Sequence, residues 1–512
     1  MKAKQLLALF LAILTVMTLL VSCGGDPVET EAGPQGGGNT DAPVSGGTTE
    51  DPGDVEITDD LGDVNFADVT NPKITFFVRT GYEGEIYAEE IIDEDLNDAI
   101  YWRNQEIQNR LGVEIAHIAQ EGSWGTGNTS YVDWNATLRN AVQTTTHDFD
   151  ATLFYTGTAS SLATEGCYLD LTELDMISLE KPWWNQNLMK EATIYGALYF
   201  AGGSIAYSQV QSALVFYYNK DLYNEYFATA GKKDIYQVVR DGEWTIDYLH
   251  ELTAAVWDDA DGNGEVSSGD IVGWGGGSGG AAGGMDSWVY ALGCDLTKID
   301  ESIGEPVACF YDEHTVQAYE KLVKLYTENE GAFVNNVQTK DVGETTFSNG
   351  KVLTHLSTLQ AGSGYNEATF RYGVLPVPKF DADQEKYRSI PEVTSSMVAM
   401  LSTLEPERTD MVAATIELTA AEAYKQVKPA YVEIVLKSQN ASSPEDAEMV
   451  DLILDSMVYS FGWIFSSTHM GNMGKAFRVV DGTRDITQYY ESNKSNYEAM
   501  IDLLIDGYAG IV

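Results

Sequence analysis

The sequence predicts an α/β protein of two lobes, and two observations support this. About 440 residues follow a polar, glycine-rich N-terminal segment, which is more chain than one hydrophobic core usually holds. Within this part, short apolar runs rich in β-branched and aromatic residues alternate with longer runs of helical period. We therefore expect strands and helices to alternate along the chain, as they do in α/β folds.

The first part of the folded region predicts a largely parallel sheet. Its segments are strand 74–80, helix 88–110, strand 113–118, helix 134–142 and strand 149–155. In such sheets, ligands bind beyond the carboxyl ends of the strands. The loops after Arg79 and after Tyr155 are therefore the first places to expect a binding site.

A second block of strands and helices begins near residue 213. It starts with the block 213–226 and continues with helix 245–259, a glycine-rich loop 274–284, helix 314–327, and strands 352–357 and 370–378. The last hundred residues have apolar positions at helical spacing. This block predicts a second lobe.

Residues 1–22 have the features of a secretory signal peptide. Lys2 and Lys4 precede an apolar run, residues 6–20, that is shorter than a membrane-spanning helix needs. The run closes with LVSCG, which resembles the lipobox of bacterial lipoproteins. That resemblance implies that Cys23 receives a diacylglyceryl group and becomes the N-terminus at the outer face of the cell membrane. The alternative is an ordinary signal peptide that ends near a cysteine.

Residues 23–71 predict a disordered linker behind this anchor. Gly, Pro, Thr, Asp and Glu dominate, without apolar periodicity. Such a stretch cannot bury enough apolar surface to offset its chain entropy.

The charge balance restricts the partners of the protein. With 78 acidic and 30 basic residues, the formal net charge is -48. This charge repels nucleic acid and anionic lipid headgroups, and it suits cations such as calcium.

The remaining cysteines, Cys167, Cys294 and Cys309, form no metal-binding motif. Cys294 and Cys309 flank a hairpin-like stretch. A disulfide between them and two free thiols are both open alternatives in an exported protein.

One acidic loop has the pattern of an EF-hand calcium loop. Oxygen-bearing side chains occupy positions 1, 3 and 5, a glycine the sixth, and a carboxylate the twelfth. The predicted ligands are Asp259, Asp261, Asn263, Glu265 through its carbonyl, Ser267 and Asp270. Asp at the last position is shorter than the usual Glu, which weakens the site. We expect a structural calcium ion here, and an acidic turn without metal is the alternative.

Several segments, read in order, resemble one protein family. These are FYYNKDLYNEY with DGEWTIDYLHELTAAV, FSNGKVLTHLS, YGVLPVPKFDADQEKYRS and KPAYVEIVLKSQN. They are similar to family 1 extracellular solute-binding proteins, the maltose-binding-protein-like class of ABC importers. The resemblance covers most of residues 72–512.

The resemblance implies a two-lobed, type II periplasmic-binding-protein-like fold that closes on its ligand at a hinge. Lobe 1 would comprise about 72–210 and 396–428, and lobe 2 about 211–395 and 429–512. The implied hinge segments lie near 208–214, 390–398 and 426–432. The implied partners are a carbohydrate, most simply an oligosaccharide, and the permease subunits of the transporter. The protein itself would be a monomer.

Ligand contacts are expected from aromatic and polar residues in the cleft, because sugars stack on aromatic rings and pair their hydroxyl groups. Position in the predicted strands and in the family pattern selects Tyr82, Tyr155, Asp286, Trp288, Thr358, Gln360 and Trp463. In contrast, Trp183, Trp184 and Trp244 are expected to pack in the interior.

We expect a binding protein and not an enzyme. No zinc-protease motif and no P-loop is present in the sequence. The alternatives are a secreted glycoside hydrolase that uses two carboxylates and a calcium-stabilised cell-surface interaction lipoprotein.

Overall fold

A computed structural model describes most of the chain from residue 58 onward. The described residues are 58–123, 129–145, 148–260, 262–267, 269–277, 284–300, 302–303, 305–335, 347–365, 368–438, 443–465 and 473–511. The predicted signal peptide, Cys23, the linker up to residue 57 and Asp261 lie outside them.

The first lobe is built on a four-stranded sheet. Its strands are β1 (Lys73–Arg79), β2 (Glu114–Gln120), β3 (Ala151–Tyr155) and β12 (Ser396–Met400). The strand order is β12-β3-β1-β2, and β1 runs parallel to both β2 and β3. Only β12 is antiparallel, against β3. All residues of β3 are buried, as expected for a sheet covered on both faces.

The helices of the first lobe connect these strands. They are α1 (Asp95–Leu111), α2 (Tyr131–Thr144), α3 (Thr156–Thr164) and α4 (Gln186–Ala192). Helix α1 begins later than the sequence predicts and ends, as predicted, at Gly112, whose φ is 67°. A Cβ atom there would lie 2.8 Å from Ala67, so this position needs glycine for both its conformation and its packing.

The compact unit begins at Thr58, which corrects the linker boundary predicted at residue 71. Leu61 and Phe66 are buried, and Asp59 pairs with Arg110 of α1 at 2.6 Å. A second ion pair joins Asp60 to Lys181 at 2.8 Å. These contacts hold the stretch on the first lobe, although its composition resembles that of the linker.

The second lobe contains a mixed sheet. Its strands are β4 (Leu214–Asn219), β5 (Trp257–Asp258), β6 (Ile271–Gly277), β9 (Ala332–Asn335), β10 (Val352–Thr358) and β11 (Tyr372–Leu375). The order is β11-β4-β10-β6-β5, with β9 paired to β6. A separate hairpin joins β7 (Thr297–Asp300) and β8 (Glu305–Ala308). The helices that follow or cover these strands are α6 (Lys220–Phe227), α7 (Ile235–Arg240), α8 (Ile246–Ala254), α9 (Gly284–Ala291) and α10 (Glu313–Thr327).

Two strand-like passages carry the chain between the lobes, side by side. The first follows a short helix, α5 (Ser208–Gln211), into β4. The second runs back from β11 to β12, and Ala213 forms an isolated bridge with Pro391. The amide of Glu392 donates to the carbonyl of Ser212 at 3.0 Å. The two passages therefore form one narrow connection.

A long helical segment makes a third link. It consists of α11 (Pro406–Glu422), a π-helical turn (Ala423–Val427) and α12 (Lys428–Ser438). Helix α11 packs on α1 of the first lobe, while α12 also contacts the 3-10 turn Leu359–Tyr365 of the second lobe. The π-helical turn lies between these two sets of contacts, and such turns are frequent at functional positions.

The C-terminal helices do not belong to one lobe alone. They are α13 (Pro444–Asp455), α14 (Phe461–Ile464) and α15 (Ile486–Ala509). Helix α13 packs on β11, whereas α15 contacts both α3 and β8. Among the described residues, no helix is long and apolar enough to span a membrane.

The interior contains the tryptophans predicted to pack. Trp183, Trp184 and Trp244 are all buried. The indole N–H groups of Trp183 and Trp184 donate to the two oxygens of Glu417, at 3.1 and 3.0 Å. Burial raises the pKa of Glu417 to about 7. This carboxyl is therefore held by hydrogen bonds rather than by an opposite charge.

Cys167, Cys294 and Cys309 are free thiols. Of the two alternatives left open for Cys294 and Cys309, the structure has the one without a disulfide.

Candidate ligand-binding site between the lobes

A polar cavity of about 180 Å³ lies where the two lobes meet. Both lobes and both strand-like passages contribute to its wall. The lining residues are Tyr82, Tyr155, Ser208, Gln211, Ser212, Thr358, Gln360, Glu392 and Thr394. A site with this composition can exchange hydrogen bonds with hydroxyl groups, because it combines a carboxylate, two amides and several hydroxyls.

Four of the predicted ligand residues meet in this cavity. Tyr155 is the last residue of β3, and Tyr82 lies in the turn just after β1. Thr358 is the last residue of β10, and Gln360 lies in the 3-10 turn that follows. Their position agrees with the rule that sites form beyond the carboxyl ends of strands. That they contact a ligand remains a prediction.

The other three predicted ligand residues do not line the cavity, and this corrects the sequence-based assignment. Trp288 is fully buried, with its ring at 5.7 Å from that of Phe216. Trp463 is 2% exposed and packs edge-on against Tyr290. Asp286 forms a buried ion pair with Arg478, at 2.7 Å between Oδ1 and Nε. All three belong to the packed interior.

Arg79, which the sequence analysis did not select, lies directly behind the cavity wall. It is the last residue of β1 and only 2% exposed. Its guanidinium is inserted between the rings of Tyr82 and Tyr155, 3.3 and 3.7 Å from their centroids. Its Nη2 donates to the carbonyl of Thr394 at 3.1 Å. The signal in the sequence was a lone arginine that ends an otherwise apolar strand.

Two donor nitrogens of this guanidinium, Nε and Nη1, are buried and find no hydrogen-bond partner within the part of the chain that the structure describes. Burial lowers the pKa of Arg79, while the neighbouring tyrosines and Glu85 oppose this shift.

Glu85 connects the site to the first passage between the lobes. It is fully buried, and its Oε1 accepts a hydrogen bond from the amide of Ser208 at 3.0 Å. The hydroxyl of Ser208 in turn accepts from the amide of Ser396, at the start of β12. Burial raises the pKa of Glu85, and hydrogen bonds from Ser208 oppose the rise. The cavity wall and both passages therefore share one hydrogen-bond network.

The residues that the passages contribute were also missed by the sequence analysis. Ser208, Gln211 and Ser212 come from the first passage, and Glu392 and Thr394 from the second. The hydroxyl of Thr394 donates to Glu392 Oε2 at 3.3 Å. No local motif marks these residues, because only the pairing of the two passages brings them together.

The predicted calcium loop connects β5 to β6. Asp259 accepts hydrogen bonds from the amides of Asn263 and Gly264, at 3.0 and 2.9 Å. Asp270 accepts from the amides of Ala260 and Ser267, at 3.0 and 2.9 Å. Oxygen-bearing side chains of this kind are the ligands that calcium prefers, and calcium binding at this loop stays a prediction.

Among the described residues, no group of three or more His, Cys, Asp or Glu side chains is gathered as a metal-ligand set. The predicted ligand Asp261 lies outside the described part of the loop.

The sequence matches no protein-family model, and no curated protein matches it. Solved structures do match its fold. UgpB from Mycobacterium tuberculosis, in complex with glycerophosphocholine, superposes with a TM-score of 0.54 at 15% identity, over 85% of this chain and 99% of that protein. An ABC substrate-binding protein from Listeria monocytogenes, in complex with cycloalternan, gives 0.51 at 14%, over 84% and 99%. A cyclo/maltodextrin-binding protein complexed with maltotetraose gives 0.51 at 14%, over 86% and 97%.

These similarities confirm the predicted fold class. The chain has the two-lobed α/β fold of ABC-transporter solute-binding proteins of the maltose-binding type. At such low identity they establish the fold and not the ligand.

Proposed function

We propose that the protein is the substrate-binding component of an ABC importer and captures a carbohydrate outside the cell. The observation that carries this proposal is the polar cavity between the lobes, to which Tyr155 and Thr358 contribute from strand ends on opposite sides. Similar proteins hold cycloalternan and maltotetraose, which are carbohydrates. The function is binding without chemical conversion.

The proposed mechanism is capture by closure. An open cleft admits the ligand, residues of both lobes then engage it, and the lobes close about the two passages near Ser212 and Glu392. A ligand favours the closed state only through contacts that the open state lacks. The closed protein is then recognised by the permease subunits.

The first experiment is a binding screen with the secreted chain, in which Cys23→Ser removes the predicted lipid attachment. Thermal shift and calorimetry would be run against neutral and charged mono- and oligosaccharides. A ligand at about 100 times its Kd should stabilise the protein by about 2.7 kcal/mol. The bound sugar should be recovered unmodified.

Two variants separate a cavity residue from an interior residue. Gln360→Ala removes an exposed cavity side chain and should lower affinity without changing the melting temperature. Trp463→Ala should cost about 3–5 kcal/mol of stability, because it leaves a large hole in the core. If no carbohydrate binds, the assignment fails, and if the sugar is recovered cleaved, the glycoside hydrolase is the better assignment.

We also propose a structural calcium ion in the loop from Asp259 to Asp270. The support is the EF-hand ligand pattern of the sequence and the position of Asp259 and Asp270 at the two ends of the loop between β5 and β6. The ion would fix the connection between β5 and β6 and takes no part in ligand binding.

The proposed location is the outer face of the cell membrane, with Cys23 as the lipid anchor and the protein as a monomer. The support is the sequence of residues 1–23. Cys23→Ser should release the protein into the culture medium, and retention of this variant on the cells would contradict the anchor.

A further inference from the structure

Arg79 is a buried positive charge without an ion-pair partner. Among the described residues, no carboxylate forms a salt bridge with it, although fifteen such pairs occur elsewhere. Glu85 is near enough to interact through space, but its own hydrogen bond is made to Ser208. Buried charges in proteins are normally paired, so this arrangement needs an explanation.

The hydrogen bonds of the guanidinium are incomplete in a particular way. Tyr82 and Tyr155 cover its two faces, and Thr394 accepts from Nη2. Nε and Nη1, which lie on either side of Nη2, find no acceptor among the described residues. The three residues that contact Arg79 all line the cavity. The guanidinium therefore lies directly behind the tyrosine rings and the Thr394 carbonyl of the cavity wall.

Tyr82 is the part of this wall best able to move. It is only half-buried, and it follows Gly81, whose φ of 87° suits glycine and makes a tight turn. Rotation of the Tyr82 side chain toward solvent would bring the guanidinium edge into the cavity.

Of the described residues that line the cavity, none is basic, and Glu392 is acidic. A ligand group with negative charge would therefore find its partner in Arg79. Two anionic oxygens match the fork geometry of a guanidinium and form strong, charge-assisted hydrogen bonds.

We propose that the ligand carries an anionic oxygen group, a carboxylate or a phosphate, which Arg79 recognises in the closed cavity. This inference rests on the proposed function and names the chemical class of its substrate. The hydroxyl groups of the same ligand would donate to Glu392 and exchange hydrogen bonds with Gln211 and Gln360. The ligand is thus an acidic sugar, such as a uronic acid, or a sugar phosphate.

The net charge of -48 does not prevent such a ligand from binding. At physiological ionic strength, exposed charges are screened over about 8 Å. Inside the cavity the direct contacts matter most, and an anionic oxygen that contacts Arg79 would be held by charge-assisted hydrogen bonds. Glu392, the acidic residue of the wall, would accept from the hydroxyl groups of the ligand instead.

The test compares matched ligands with the unmodified sequence first. Calorimetry would use galactose, galacturonic acid and the methyl ester of galacturonic acid, and separately glucose and glucose 6-phosphate. A charge-assisted hydrogen bond predicts that one acid binds about tenfold or more tighter than its neutral counterparts. The uronic acid and the phosphate arms distinguish the two sources of the anion.

Variants then assign the preference to Arg79. Arg79→Gln should weaken binding of the preferred acid about tenfold or more and leave a neutral sugar within roughly threefold. Arg79→Lys keeps the positive charge but lacks the paired N–H donors of a guanidinium, and it should retain part of the preference for the acid. The control Arg371→Gln removes an exposed arginine of the second lobe that pairs with Asp221. It should change neither the affinity for the acid nor the affinity for the neutral sugar.

The outcomes separate this inference from the proposed function. Equal binding of a neutral sugar and its acid would overturn the anionic ligand and leave carbohydrate capture intact. An acid preference that persists in Arg79→Gln would overturn the role of Arg79. If that variant does not fold, the comparison of acid with methyl ester in the unmodified sequence still decides the class of ligand. Absence of binding by every sugar would remove both proposals.

Discussion

At the scale of single residues, burial gives ordinary side chains unusual chemistry. Glu417 accepts hydrogen bonds from Trp183 and Trp184, and its pKa is raised to about 7 because the loss of solvent on burial outweighs these hydrogen bonds. The carboxyl binds a proton more readily in the folded protein than in the unfolded chain. Its effect on stability therefore depends on pH in the direction opposite to that of a salt-bridged carboxylate.

This effect predicts a loss of stability as pH rises. Between pH 4.5 and about 7, the folded state holds a proton on Glu417 that the unfolded chain releases. At about 1.4 kcal/mol per pKa unit, the contribution lost across this window is about 3 kcal/mol. Urea unfolding would be measured for the parent protein and for Glu417→Gln from pH 4.5 to 8. The two plots of unfolding free energy against pH should converge or cross. Plots that stay parallel would contradict the assignment.

The residues of the site show what sequence reasoning can reach. Tyr155 and Thr358 were predictable, because each ends a recognisable strand and strand ends converge in this class of fold. The interior position of Trp463 was not predictable. The short helix α14 buries this side chain, and the local sequence does not show in which direction such a short helix faces. The position of Glu392 in the site was not predictable either, because it lies in the second passage between the lobes, which has no sequence pattern of its own.

At the scale of elements, short strands were harder to predict than long helices. Helix 245–259 of the sequence analysis ends at Ala254, and Trp257–Asp258 forms a strand with β6 instead. The helical period continues through Trp257, but pairing with Ile271 and Val272 outweighs it. That pairing is what closes the acidic loop between β5 and β6.

The acidic loop predicts stabilisation by calcium. Asp259 and Asp270 stand at its two ends, so an ion bound between them would hold β5 against β6. Millimolar calcium should raise the melting temperature, and a chelator should reverse the rise. Asp259→Asn should abolish the calcium response, whereas Asp381→Asn, in a turn elsewhere, should keep it. An unchanged melting temperature would favour the acidic turn without metal.

At the scale of the whole molecule, the fold was predictable from chain length, the alternation of elements and resemblance. The assignment of the C-terminal region to one lobe or the other was not predictable. Helix α15 contacts α3 and β8, so a boundary drawn along the sequence cannot assign it to one lobe. Contacts of this kind arise only when the complete chain is packed.

The charge of the whole molecule predicts a dependence on salt. Self-repulsion among 78 acidic side chains opposes the compact state. The Debye length falls from about 30 Å at 0.01 M salt to about 8 Å at 0.15 M. Sodium chloride over this range should therefore raise the melting temperature, while an equal osmolality of glycerol gives a smaller change. A melting temperature that is flat or falls with salt would show that the acidic residues are already compensated.

The packing of residues 58–71 determines which lobe is held by the N-terminal side of the chain. Leu61, Phe66 and the pair Asp59–Arg110 attach this stretch to the first lobe. A load applied through the N-terminal side of the chain therefore enters lobe 1 first and reaches lobe 2 through the two passages, the α11–α12 segment and the C-terminal helices. Relative to such a tether, lobe 1 would stay fixed and lobe 2 would move when the lobes close.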